Sequence, residues 1–194
     1  MMMALLAQRS GTTMSAFGDA IEIELRNDPR FVCFERVGNC RWANGPENHL
    51  HKLFEFVAMK GDQLSARWGW SVDFVPALKG RRLAWKRNAA KAQFDLCIDP
   101  VDLSGDVPPW CSFTGSDSRS QVAKIGRTSF DAAIADLSRI VTLRDLADLF
   151  QTRSKMQFRR FSLENYVQTD LAWGLALIAV GQDEAGQDRL DAFC

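Results

Sequence analysis

His49 and His51 are the only imidazoles in the chain, and they stand two residues apart at the start of an apolar run. In an extended segment that spacing puts both rings on one face. Two imidazoles on one face can ligate a metal, with Cys33, Cys40 or Glu47 to complete a tetrahedral set. No third and fourth ligand follows at a metal-site spacing, so the sequence favours two surface histidines at a loop-to-strand junction and assigns no metal. His51 has a second use, because a carboxylate beside an imidazole fixes its tautomer and suits it to proton transfer. The strand pairing developed below sets His51 opposite Asp73, with Glu55 and Arg67 on the same polar face. These four are the catalytic candidates. Cross-strand charge pairing for stability alone gives the same pattern, and no nucleophile stands at a recognisable spacing.

The second candidate is the run from Lys79 to Lys91, whose six basic residues include no acid between them and enclose Trp85. Arg81, Arg82, Lys86 and Arg87 could hold phosphates while Trp85 stacks on a base, which makes the segment a candidate for anions or nucleic acid. A solvated basic loop neutralised by the following acids Asp95, Asp99, Asp102 and Asp106 is the simpler reading. Nucleic-acid domains usually carry an excess of positive charge. This chain has 24 basic and 24 acidic residues and a formal net charge of zero. No P-loop, dinucleotide, nucleophile-elbow or zincin motif is present, so no cofactor is assigned.

The elements that must position these groups centre on Leu64 to Phe74, where the apolar residues Leu64, Ala66, Trp68, Trp70, Val72 and Phe74 alternate with polar residues or Gly. Strict period two predicts one long strand with an aromatic face turned to the core and a hydrophilic face opposite. Pro76 ends it, since proline cannot donate to a ladder. A preceding strand over about 50–60 forms a hairpin with it. A three-residue connection at 61–63 predicts Phe56 opposite Trp68, Phe54 opposite Trp70 and His51 opposite Asp73. A two-residue connection would set Glu55 among apolar side chains without a partner.

Upstream, Ser15 can cap a helix carrying Phe17, Ile21 and Leu25, although Ile21 to Leu25 also alternates like a strand. Residues 31–37 read as a strand and 38–48, rich in Gly and Asn, as a loop. Downstream, Leu83 with Trp85, then residues 94–98, then 110–113 read as short strands, and 101–129 otherwise as loop, most mobile at 114–121. Ser129 is expected to cap one helix, Thr142 a second and Ser162 a third. The third is apolar all round over Leu171 to Val180, so neighbours must cover both its sides. Gly181 is its expected C-cap, and Asp183 to Phe193 forms a closing helix. The fold predicted is α+β, an antiparallel sheet of four to six strands with an N-terminal helix and a C-terminal helical bundle. One domain is expected over 1–194, sheet-rich over 15–115, loop over 115–128 and helical over 129–194.

With 194 residues, 46% of them hydrophobic, the chain can bury one good core. The apolar segment Met1 to Ala7 lacks a basic region before it and reads as a frayed terminus or a docking segment. Leu171 to Val180 is about half of the roughly 20 residues a membrane-spanning helix needs. Five cysteines without a C-x-x-C pair suggest reduced thiols in a cytoplasmic protein. Cys33 and Cys97, within strand patterns, read as inert small hydrophobes.

The run Ser65-Ala66-Arg67-Trp68-Gly69-Trp70-Ser71, with Asp73-Phe74-Val75-Pro76, Leu83-x-Trp85 and Asp95-Leu96, resembles an uncharacterised family of bacterial domains of unknown function over roughly 15–190. That resemblance implies a cytoplasmic bacterial α+β protein and carries over no catalytic residue. Two functions are expected from different classes. The first is a non-enzymatic binding module that contacts another protein through the sheet's polar face or the helical tail. The alternative is a small hydrolase or nucleic-acid-acting enzyme that uses His51, Asp73, Glu55 and Arg67, with the basic segment on phosphates.

Overall fold

A computed structural model describes residues 14–60, 63–79, 82–85, 87–99, 101–107, 110–112, 118–163 and 169–193. The chain begins with helix α1 (Met14–Leu25), so the spacing-four stripe wins over the alternating one: Phe17, Ile21 and Leu25 are buried. Strands β1 (Phe34–Gly38), β2 (Arg41–Asn44), β3 (Leu50–Met59) and β4 (Gln63–Val72) follow as an antiparallel meander. Short strands β7 (Leu96–Ile98) and β8 (Trp110–Ser112) share the far edge of β4, and β5 (Ala77–Lys79) pairs β6 (Arg82–Ala84) as a separate ribbon. Helices α2 (Ser118–Leu137) and α3 (Leu143–Ser154), a small hairpin of β9 (Gln157–Phe158) and β10 (Phe161–Ser162), then α4 (Thr169–Ala179) and α5 (Asp183–Phe193) complete the α+β fold.

Residues 38–48 are not a loop, because β2 occupies their centre and buries Trp42 completely. Its connection to β3 is a tight turn. Asn48 and His49 both take positive φ, 51° and 68°, and Glu47 and Leu50 exchange backbone hydrogen bonds of 2.9 Å across them. Two consecutive left-handed residues give the twist that a two-residue hairpin needs.

The β3–β4 hairpin has the expected aromatic face in a different register. Met59 pairs Gln63, so the three-residue connection lies at 60–62, one residue earlier than expected. Phe54 therefore faces Trp68, Phe56 faces Ala66 and Trp70 faces Lys52. A slip of two residues keeps each side chain on its face and changes every cross-strand partner. Trp68 and Trp70 are fully buried, as expected. Trp42 donates to Glu22 Oε1 on α1 at 3.0 Å, and Trp68 donates to Asp136 Oδ2 on α2 at 2.9 Å. Both indoles thereby tie the sheet to its helical cover while their rings fill the core.

Helix α2 starts well before Ser129, which sits buried inside it. Val122, Phe130, Ala133 and Leu137 are its buried stripe, and Gly126 lets α1 approach, since a Cβ there would lie 3.2 Å from Ile21. Residues 114–117 of the expected mobile loop lie outside the described residues, and those from 118 onward are helical. Likewise Ser162 belongs to β10 rather than to a helix cap. Thr142 caps α3 in a reciprocal capping box with Asp145, and Gly181, at φ 80°, ends α4 as expected.

Asp28, in the α1–β1 turn, joins the helical pair. It accepts from the Arg30 backbone N–H and Nε at 2.9 Å, and from Arg30 Nη2 and Arg127 Nη1 at 2.6 Å. The Arg30 guanidinium holds its carboxyl down at about 2. The folded value lies below the unfolded one, so this stabilisation is present above about pH 4 and is lost as pH falls through 2. Asp28→Asn is expected to cost about 1–2 kcal/mol at pH 7, a screened value because both arginines are partly exposed. Urea unfolding at pH 7 and again below pH 3 should show that difference shrink.

Candidate functional site

The second face of the sheet carries the candidate catalytic groups, because His51, Leu53 and Glu55 on β3 share it with Ser71, Gly69 and Arg67 on β4. Much of it is closed to water, although Arg67 stays 34% exposed. The segment 87–94 folds over it, and Ala92 packs with Ala43 and Leu53, joined by Phe94 and Ala89. The face expected to be hydrophilic is polar and largely covered, with His51 and Ser71 fully buried.

His51 lies opposite Ser71, not Asp73. Its ring is fully buried, and Nδ1–H donates to the Asn44 carbonyl at 2.8 Å. A carbonyl only accepts, so Nδ1 carries the proton of that bond, and the other ring nitrogen, Nε2, needs a partner of its own. That nitrogen has no hydrogen-bond partner. Asp73 pairs instead with His49, whose Nδ1 lies 3.1 Å from Oδ1 and whose ring meets Phe74 edge-on at 5.6 Å. A His–Asp pair thus exists, on the exposed Asn48–His49 turn. Its described hydrogen bonds reach no hydroxyl or thiol.

Glu55 and Arg67 do converge, in the register now seen. Glu55 is 9% exposed; its Oε1 accepts from Arg67 Nη2 at 2.6 Å, and its Oε2 lies 3.4 Å from Arg41 Nε. Phe94 lies within cation–π range of both guanidiniums, at 5.3 Å from Arg41 and 5.2 Å from Arg67. The acid is spent on two bases that share one aromatic ring.

The basic segment divides. Arg81 and Lys86 lie outside the described residues, Arg82 belongs to β6 opposite Lys79, and Trp85 is 64% exposed. Arg87 is buried. It donates to Asp95 Oδ2 at 2.7 Å, to Ser71 Oγ at 3.2 Å and to the Pro76 carbonyl at 3.0 Å. Asp95 Oδ2 also accepts the Val72 N–H at 2.7 Å, so the pair clamps the end of β4. Burial pushes the Asp95 carboxyl up to about 6 against the pull of that guanidinium. An arginine so engaged is a structural cation, which the run of basic residues could not reveal.

The described thiols add no reactive group to this face. Burial pushes Cys97 up to about 12 and does the same to Cys40, whose Sγ–H donates to the Met14 carbonyl. Cys33 is exposed and lies outside any strand. Among the described residues no cluster of His, Cys, Asp and Glu could hold a metal ion.

A concavity that sequence reading did not single out lies on the helices. Helix α4 packs against α3 on one side and α5 on the other, as expected, but leaves Ile178 36% exposed near its end. Trp173 stacks on Phe150 at 6.0 Å, and Arg144 donates to the Val180 carbonyl at 3.4 Å, so α3 runs antiparallel to α4. Helix α5 does too, with Gly186 against Ile178 and Leu190 against Gly174. The outer helices are therefore parallel, and they scarcely touch each other. Between them runs an open trough of about 430 Å³. Trp173 and Leu177 form its floor; Ala147, Asp148, Gln151 and Lys155 line one wall, and Ala185, Asp188, Arg189 and Ala192 the other. Arg189 lies over the Trp173 ring at 3.6 Å and pairs with Asp170 at 3.3 Å. The legible signal was the wall spacing of three, four and seven residues on α3 and α5, polar where it faces outward. Comparison with family models, with curated proteins and with solved structures finds no match for the chain.

Proposed function

We propose that the chain is a cytoplasmic, non-enzymatic binding module that docks a helical segment of a partner protein in the α3–α4–α5 trough. The observation that carries this reading is the geometry of the trough itself: two parallel helices stand apart on a third, leaving the place of a fourth. A helix laid there would meet the Arg189 guanidinium stacked on Trp173 between walls that expose Ala185 and Ala192, a form of helix-in-groove recognition. The alternative, an enzyme using His51, Asp73, Glu55 and Arg67, needs these groups to converge on a substrate. His51 has no exposed surface, and Glu55 and Arg67 are bound to each other. Free thiols at Cys33, Cys40 and Cys97 support the cytoplasmic assignment. Among the described residues no helix is long and apolar enough to cross a membrane.

The test is selection from a displayed library of helical peptides on the intact protein. Ala185 and Ala192 are exposed on the trough wall, so arginine there obstructs the trough at little cost in stability. Peptide affinity is expected to fall at least about tenfold, or 1.4 kcal/mol, in Ala185→Arg and again in Ala192→Arg. It should stay unchanged in His49→Ala. Recovery of no peptide, or of peptides indifferent to both arginines, contradicts the proposal.

A further inference from the structure

Beyond Lys155, which lines one end of the trough, the chain carries further positive charge. Lys155, at the C-cap of α3, leads directly into the β9–β10 hairpin, in which Phe158 pairs Phe161 and only Arg159 and Arg160 lie between them. Arg159 takes φ 60° to close that turn, and its guanidinium lies over the Phe158 ring at 5.1 Å. Phe161 is 61% exposed. Lys155, Arg159 and Arg160 are all exposed, and none pairs with a carboxylate among the described residues. Farther along α3 the sign changes: Asp148 lies about 10 Å from Lys155 along the helix axis. It faces Asp188 across the trough, and neither carboxylate has an ion-pair partner among the described residues.

We infer that the helix taken by this trough is acidic at the end beside the 157–162 hairpin and basic about two turns away. This rests on the docking reading above and adds the chemistry of the partner. The two signs favour a peptide over a polyanion, because a nucleic acid led along the trough from Arg159 and Arg160 would meet Asp148 and Asp188. Partner charges of that order fix the direction of the docked helix, since the reverse orientation sets like charges together.

The experiment uses the full chain and peptides of about 16 residues, a helix of about 24 Å, with charge left free at the polar positions. Recovered peptides are expected to carry Asp or Glu at one end and Lys or Arg about two turns away. The affinity of the best should fall at least about tenfold in the Arg159→Glu, Arg160→Glu double variant. Exchanging the peptide's acidic end for lysines should restore it on that variant. Peptides that Ala185→Arg releases but that lack an acidic end, or ignore the double variant, overturn this inference and leave the docking reading standing. Peptides indifferent to Ala185→Arg overturn both. An oligothymidylate that binds the hairpin and competes with the peptides also overturns the inference, in favour of nucleic acid.

Discussion

Replacing Arg87 by methionine is expected to cost about 3–5 kcal/mol of folding free energy, the usual result of removing one partner from a buried ion pair. The side chain is 4% exposed, and its guanidinium is shared among Asp95, Ser71 and the carbonyls of Pro76 and Gln93. Methionine fills much of the volume and leaves the Asp95 carboxylate without its counter-charge. The double variant Arg87→Met, Asp95→Leu should be less destabilised than Arg87→Met alone, because no charge remains buried. A pH signature accompanies it. Asp95 already sits near 6 in the fold, above its ordinary value, so the folded state loses stability through this group as pH rises from about 4 through 6. Without Arg87 the carboxyl rises further, and the cost of the substitution should be larger at pH 8 than at pH 5. Urea unfolding at the two values measures this. A cost below about 1 kcal/mol at both would mean that the guanidinium is free to serve a phosphate.

Gly69→Val is expected to break the pairing of β4 with β7. Gly69 lies opposite Cys97, and a Cβ there would be driven into the Leu96 carbonyl oxygen and to 2.9 Å from Cys97 Cα. Backbone cannot rotate away as a side-chain tip can. The neighbouring pairs Trp68 with Ile98 and Trp70 with Leu96 must therefore separate. The Asp95 N–H bond to the Trp70 carbonyl, 2.9 Å, lies next to them and opens as well. Overpacking of about 1–3 kcal/mol, with about 1 kcal/mol for each ladder bond lost, puts the total above 3 kcal/mol. Gly45→Ala is the control, because a Cβ at Gly45 meets nothing within 4 Å. Thermal midpoints of the two variants should differ by many degrees; equal midpoints would contradict the β4–β7 register.

Much of the fold was legible wherever one period ruled a long segment. The alternation around Trp68 and Trp70 located β4 and its buried face, and the spacing of Phe17, Ile21 and Leu25 located α1. Register was not legible in the same way. A period of two cannot detect a slip of two residues, and counting Lys60 into β3 moved the partner of Asp73 from His49 to His51. Punctuation misled at residues 38–48, where Gly, Asn and Pro flank β2, and at 118–129, where serines and Gly126 hide the stripe that α2 lays against Ile21. Charge runs misled for another reason. Arg87 sits among basic residues in the sequence and against Asp95 in space, because the chain reverses between them around the short 3-10 turn at Ala89–Lys91. The trough needed two separate facts that no local pattern contains, that α3 and α5 both run antiparallel to α4 and that neither closes on the other.

His51, Glu55 and Arg87 are engaged inside the fold, and the proposed recognition falls to the helices. Amide chemical-shift mapping of the intact protein with a selected helical peptide tests this most directly. Perturbations concentrated at Asp148, Gln151, Ala185 and Asp188, extending to Arg159 and Arg160, are the expected result. Perturbations centred on His49, His51, Asp73 and Arg87, with α3 and α5 unmoved, would contradict it.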